Sequence, residues 1–265
     1  MVDMPFTRKL PGRACGPGRF QYEGLRAGRR PVIERMEKGL SSPPDSMTDL
    51  PPLQRLLCAY APAAARGWQR LCWQLDQRLA AVARRGGDPT IAAIRLAWWD
   101  AVLVEDDRAK GGGEPLVEQW RAGSRPAGAA AAAEQLIDGW RLLLGPEALN
   151  DADLEAYARR RGGGLFMLVA GEAGADHEDA LRASGTAWAL WDLAAHVRDA
   201  GLAARAIALA RDSRPDALAP LPGGVLRPLR LARAVTLPDL RASRVPAGGF
   251  ALAHYGRLLR AALRG

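Results

Sequence analysis

Three polar residues in one apolar run offer the clearest chemistry in this 265-residue chain. They lie in Trp188-Ala189-Leu190-Trp191-Asp192-Leu193-Ala194-Ala195-His196-Val197-Arg198-Asp199. On a helix, Asp192, His196 and Asp199 fall at i, i+4 and i+7 and stack on one face across two turns. Carboxylate and imidazole so placed can ligate a divalent cation. The same spacing also suits a polar stripe opposite the Trp191/Ala194 face, with His196 hydrogen-bonded locally.

A second candidate is Arg159-Arg160-Arg161-Gly162-Gly163-Gly164, which could grip a phosphate through guanidinium and backbone N–H groups. No Gly-Lys-Ser/Thr follows, so it is not a Walker loop. Its bland reading is a charged surface helix whose glycines let a neighbour approach. Glu105-Asp106-Asp107 is acidic, but the next-turn positions are Ala109, Lys110 and Gly111. A Mg²⁺ site needs carboxylates a turn apart, so this cluster reads as a solvated loop. His177-Glu178 lacks a second histidine four residues on, which excludes a zincin. His254 is expected at the surface of a basic amphipathic C-terminal helix, and Ser184-Gly185 near a helix N-cap. Trp98 and Trp99 point about 100° apart on a helix, so one can fill a core while the other lines a seam or cavity.

The elements that must position these residues are helical. Trp68, Leu71, Cys72, Leu75, Leu79 and Val82 recur at three and four, as do Ile91, Ile94, Trp98, Ala101 and Val102. Similar sets run from Ala133 to Leu144, Ala187 to Val197 and Leu252 to Ala262. Strand patterns are nearly absent. Gly86-Gly87, Gly111-Gly112-Gly113, Gly145-Pro146 and the proline-rich Asp212–Gly224 stretch separate the helical runs. Asp151 and Asp153 suit the cap of a helix running toward Tyr157. The expected architecture is all-α, about seven or eight helices in a single bundle.

Residues 1–46 carry six prolines, nine Lys+Arg and five acids, for a net charge of +4. That composition predicts a disordered basic leader, with Met47 an alternative start and residues 47–265 the helical domain. Three cysteines without a C-x-x-C pair fit a reducing compartment. The net charge of +8 favours anionic partners, but no nucleic-acid-binding signature is present, so no nucleic acid is expected. No apolar run reaches the ~20 residues of a membrane span. The basic helix Arg257–Arg264 could instead lie on anionic lipid.

Ala93-Ile94-Arg95-Leu96-Ala97-Trp98-Trp99-Asp100-Ala101-Val102 resembles the "IRLQWWRDAL" pattern of the squalene/phytoene synthase superfamily, most closely its complex I assembly-factor-type branch. Ala156-Tyr157-Ala158 through Leu165-Phe166-Met167-Leu168 resembles the family's "YA…G…L" helix, and Ser184–Leu190 its "AGTAYGL" helix. The resemblance covers about residues 50–260. It implies an isoprenoid-synthase fold with a central cavity. It also implies two Asp-rich helices that hold Mg²⁺ against two prenyl diphosphates, which active members join head to head. Here Asp76 is followed by Leu79-Ala80-Ala81-Val82-Ala83 where acids are expected. The second motif, "NILRD…D", maps onto Asp192-Leu193-Ala194-Ala195-His196, with His196 and Ala200 in place of its aspartates.

Without carboxylate-bound Mg²⁺ the diphosphate lacks electrophilic assistance in leaving. The expected protein is therefore a degraded synthase, a non-catalytic prenyl- or lipid-binding or assembly factor, with no cofactor assigned and Mg²⁺ only if it is active. It would be cytoplasmic or peripheral on the inner membrane. Tyr157, Arg159, Arg160, Arg161, Trp98 and Trp99 are its ligand-binding candidates. The alternative is an active Mg²⁺-dependent prenyl-diphosphate transferase, with Asp192, His196 and Asp199 as metal candidates. A third reading is a plain interaction module with a filled core.

Overall fold

Prolines and short polar caps decide where several helices begin. Pro89 opens a helix at the position where its missing N–H is no loss, and the Asp88 carboxylate accepts from Thr90 N. Asn150 and Asp153 form a reciprocal capping box, so Asn150 supplies the cap and Asp153 the returning carboxylate. These details come from a computed structural model describing residues 50–84, 88–145, 148–215, 217–249 and 251–264. The basic leader expected over 1–46, the Gly86-Gly87 break and Pro146 lie outside the described residues.

The described residues form eleven α-helices and no strand. They are α1 (Pro52–Ala59), α2 (Ala63–Arg84), α3 (Pro89–Leu103), α4 (Pro115–Ala122), α5 (Ala129–Arg141), α6 (Asp151–Ala158), α7 (Gly164–Ala170), α8 (Glu178–His196), α9 (Ala200–Asp212), α10 (Arg227–Arg241) and α11 (Leu252–Leu263). A five-residue π-turn, Arg159–Gly163, joins α6 to α7. The count exceeds the expected seven or eight because short helices such as α1 and α4 have only eight residues each, too few for a periodicity to register. No described helix is long and apolar enough to cross a membrane.

Helix α8 is the axis of the assembly. It packs against α6, the π-turn, α7, α9 and α10, and Leu181, Ala187, Trp188, Ala189, Leu190, Trp191 and Leu193 are all buried. Ser184 and Gly185 lie in the middle of α8, not at its start. Gly185 serves instead as a crossing point. A Cβ on Gly162 would lie 2.0 Å from the Gly185 carbonyl oxygen, and one on Gly185 would lie 2.1 Å from that of Gly162. The two backbones touch, so no side chain fits between them. Gly139 of α5 is equally constrained, its added Cβ falling 2.4 Å from Arg161 N.

These crossings predict that Gly162→Ala or Gly185→Ala lowers unfolding stability by about 1–3 kcal/mol or more, since overpacking must displace backbone. Gly67→Ala meets open space within α2 and should raise stability by about 0.5–1 kcal/mol. Urea titrations of the three variants read both signs.

Candidate functional site

The π-turn carries Arg161 into the centre of the molecule. Leu154, Tyr157, Ala158 and Arg161 follow one helical face at i, i+3, i+4 and i+7, and all four are buried. Arg159 and Arg160, two and one residues earlier, point outward and are exposed. Arg160 pairs with Asp138 at 3.1 Å. The three arginines therefore do not act together as a phosphate grip.

Arg161 is 1% exposed, and its guanidinium is satisfied on every side. Nε donates to Asp76 Oδ1 at 3.0 Å, and Nη2 donates to Asp76 Oδ2 at 2.9 Å, a bidentate pairing. Nη2 also lies 2.8 Å from Asp192 Oδ2. Nη1 donates to the Tyr157 hydroxyl at 2.6 Å. The Trp140 ring lies beneath the guanidinium, 4.1 Å from Cζ to centroid. The same indole donates Nε1–H to Asp76 Oδ1 at 2.9 Å. Asp76 comes from α2, Trp140 from α5, Tyr157 from α6 and Asp192 from α8, so one cation ties four helices together.

Electrostatics reinforce the arrangement. Burial opposes the charge on Arg161, but Asp76, Tyr157 and Asp192 outweigh it and hold the proton far more tightly than usual. Burial likewise pushes the Asp192 carboxyl up, yet Arg161, His196 and Arg84 pull it below its ordinary value. Burial foremost, with Asp192 and Asp76, raises the Tyr157 hydroxyl to about 12 against the pull of Arg161, so it stays protonated. Arg84, at the end of α2, is a second guanidinium in this neighbourhood, its affinity for the proton lowered by burial.

The Asp192/His196/Asp199 triad does not assemble. Helix α8 ends at His196 because Val197 turns extended, with ψ 146°. Asp199 consequently caps α9, accepting from Leu202 N at 3.0 Å. His196 Nδ1 lies 2.7 Å from its own Asp192 carbonyl oxygen. Among the described residues no three His, Cys, Asp or Glu side chains form a group able to hold a metal. The residues present do not fit the Mg²⁺ that the synthase resemblance implies. The two acids that do converge from separate helices already share a guanidinium, and a divalent cation there would face Arg161 and Arg84 at close range.

Trp98 and Trp99 divide as their spacing requires. Trp99 is buried and Trp98 only partly so, their rings edge to face at 5.0 Å. Both line a surface cleft of about 350 Å³ with Arg78, Val82, Arg95 and Glu114. Arg78 closes one side by pairing with Glu114 at 2.7 Å. Ile91 and Ile94, expected on the core face of this helix, are exposed.

A second charge node was hidden in the sequence. Asp239 of α10 is buried and receives Arg257 at 2.7 and 2.9 Å, Arg244 at 2.6 and 2.8 Å, and the Trp191 indole at 3.1 Å. His254, expected at the surface, is buried beside it, its ring 5.3 Å from that of Trp191. Trp191 draws it inward, because α11 turns its His254/Leu258 face toward α10.

Removing the central cation strands two buried carboxylates, so Arg161→Met should cost about 3–5 kcal/mol. Replacing Asp76, Arg161 and Asp192 together by Leu, Met and Leu should cost clearly less, which chemical denaturation can measure. At Asp239, burial raises the carboxyl, but hydrogen bonds from Arg257, Arg244 and Trp191 win and hold it at about 2. A depressed carboxylate stabilises the fold fully above its unfolded value of about 4. That contribution is lost as pH falls toward about 2. Asp239→Asn should flatten this acid limb in a plot of denaturation midpoint against pH.

No family model, curated protein or solved structure matches the chain.

Proposed function

We propose that this protein is a synthase-like helical protein, of the squalene/phytoene synthase kind, in which an arginine has taken the place of the metal, and that it works without catalysis as a binding or assembly factor. The observation that carries this reading is the meeting of Asp76 and Asp192 on Arg161. Asp76 stands at the helix where the resemblance places the first Asp-rich motif, and Asp192 at the second. In a synthase such helices converge on Mg²⁺, which draws electrons from a departing diphosphate. A guanidinium locked between them keeps the helices in place but offers no open coordination position to a phosphate oxygen. The diphosphate leaving group therefore loses its electrophile.

The interior also supports binding at the surface over catalysis within. Trp73, Phe166 and Trp188 fill the space between α2, α7 and α8, with ring centroids 5.5 to 6.4 Å apart. The Trp98/Trp99 cleft remains open to a prenyl or other lipid chain, or to a side chain of a protein partner.

Purified protein incubated with Mg²⁺ and farnesyl or geranylgeranyl diphosphate should release no pyrophosphate and form no coupled product. Calorimetric titration with Mg²⁺ alone should show no saturable heat. Turnover, or Mg²⁺ binding that Asp192→Asn abolishes, would return the chain to the Mg²⁺-dependent transferases.

A further inference from the structure

The tryptophan-walled cleft carries a charge that its own side chains do not answer. Ala81 and Val82 of α2 form one wall, and Trp98 and Trp99 of α3 form the other. Two guanidinium groups and one carboxylate stand at its rim. One side is closed by an ion pair, in which Arg78 Nη2 donates to both Glu114 oxygens, at 2.8 and 2.7 Å. Arg95 stands apart from that pair. It is exposed and makes no hydrogen bond or ion pair among the described residues. The excess positive charge of the cleft therefore rests on Arg95.

Helix geometry sets this guanidinium beside the aromatic wall. Arg95 precedes Trp98 by three residues and Trp99 by four, so the three side chains are neighbours on α3. The two rings stand edge to face, at 84° with centroids 5.0 Å apart. Perpendicular rings make a corner, with no parallel pair between which a flat molecule could stack. A flexible chain can follow a corner. The volume of about 350 Å³ lies at the small end of ligand pockets, which suits one chain and not two.

We infer that this cleft binds a single-chain amphiphile with an anionic head, a carboxylate or a phosphate monoester, whose chain lies against Trp98, Trp99, Ala81 and Val82 while Arg95 takes the head. This occupant rests on the binding role proposed above, whose cleft it fills. A guanidinium fork suits either oxyanion, because two N–H groups can meet two oxygens. A neutral lipid would leave Arg95 unanswered, and a cationic one would face two guanidinium groups. A second copy of the chain would bring net positive charge, the protein being +8. A bare inorganic anion would answer Arg95 but leave the apolar walls in water. Only an acid with an apolar chain satisfies the rim and the walls together.

The test is calorimetric titration of the full chain with dodecanoate, dodecyl phosphate and dodecanol, each below its micelle or solubility limit. At least one anionic probe should bind saturably at a single site, and dodecanol should bind about tenfold more weakly or worse, since it forgoes a charge-assisted hydrogen bond. The tighter anion identifies the head. Arg95→Gln should weaken anion binding about tenfold while dodecanol affinity holds. Ala81→Phe, which fills the cleft from α2, should abolish binding of every probe. Circular dichroism will confirm that both variants fold. No saturable heat with either anion, equal affinity for dodecanol and the anions, or wild-type affinity in both variants would overturn the proposal. So would saturable binding of a leucine-rich acidic peptide with none of dodecanoate, which assigns the cleft to a protein partner, or a dimer that Ala81→Phe dissolves. Turnover of a prenyl diphosphate would sink the non-catalytic reading, whereas loss of amphiphile binding alone leaves that reading standing.

Discussion

A single buried guanidinium sets the internal geometry of this protein. Arg161 can be charged in an apolar interior only because two carboxylates, a phenol oxygen and an indole face surround it. Each of those partners comes from a different helix. Any displacement of α2, α5, α6 or α8 would leave a buried charge without its full complement, and that penalty is far steeper than the loss of an equivalent apolar contact. The network therefore acts as a registration device. Hydrophobic packing alone would tolerate small slides of one helix along another, whereas a bidentate ion pair does not.

Close backbone approach makes the device possible. Gly162 and Gly185 bring the π-turn against α8, and Gly139 brings α5 against Arg161 itself. With side chains at those crossings the guanidinium would stand too far from Asp192 to pair. Helix α8 then carries the constraint outward. Asp192 faces the Arg161 node, while its neighbour Trp191, turned about 100° around the helix, donates to Asp239 at the second node. Two consecutive residues thus couple the interior ion cluster to the seating of α10 and α11. His254, packed against Trp191, belongs to the same chain of contacts.

The chemistry follows from this architecture. Asp76 and Asp192, brought together from separate helices, both meet a fixed organic cation. A guanidinium supplies charge and hydrogen bonds, so it preserves the fold, but it cannot exchange a ligand for a phosphate oxygen.

Much of the scaffold was legible from residue order alone. The three-and-four spacing of Leu71, Leu75 and Leu79, or of Leu136, Trp140 and Leu143, demands helices, since only that period gathers those side chains on one face. The unequal roles of Trp98 and Trp99, and the loop at Glu105-Asp106-Asp107, followed from the same local geometry. The position of Arg161 carried a signal that went unread, for it continues the buried face of Leu154, Tyr157 and Ala158, where a surface arginine has no place. Asp76 continues the Cys72/Leu79 face in the same way. The supposed stacking of Asp199 with Asp192 and His196 failed because the spacing presumed one unbroken helix, and Val197 breaks it.

Periodicity is a short-range property, fixed by backbone sterics over a few turns, and the amino-acid order suffices to reveal it. Which buried acid meets which buried arginine depends on helices far apart in the chain, Asp76 and Arg161 being separated by 85 positions. That pairing was decided only when the glycine crossings set the distances, because Coulombic and hydrogen-bond energies fall off over ångströms that no local pattern encodes.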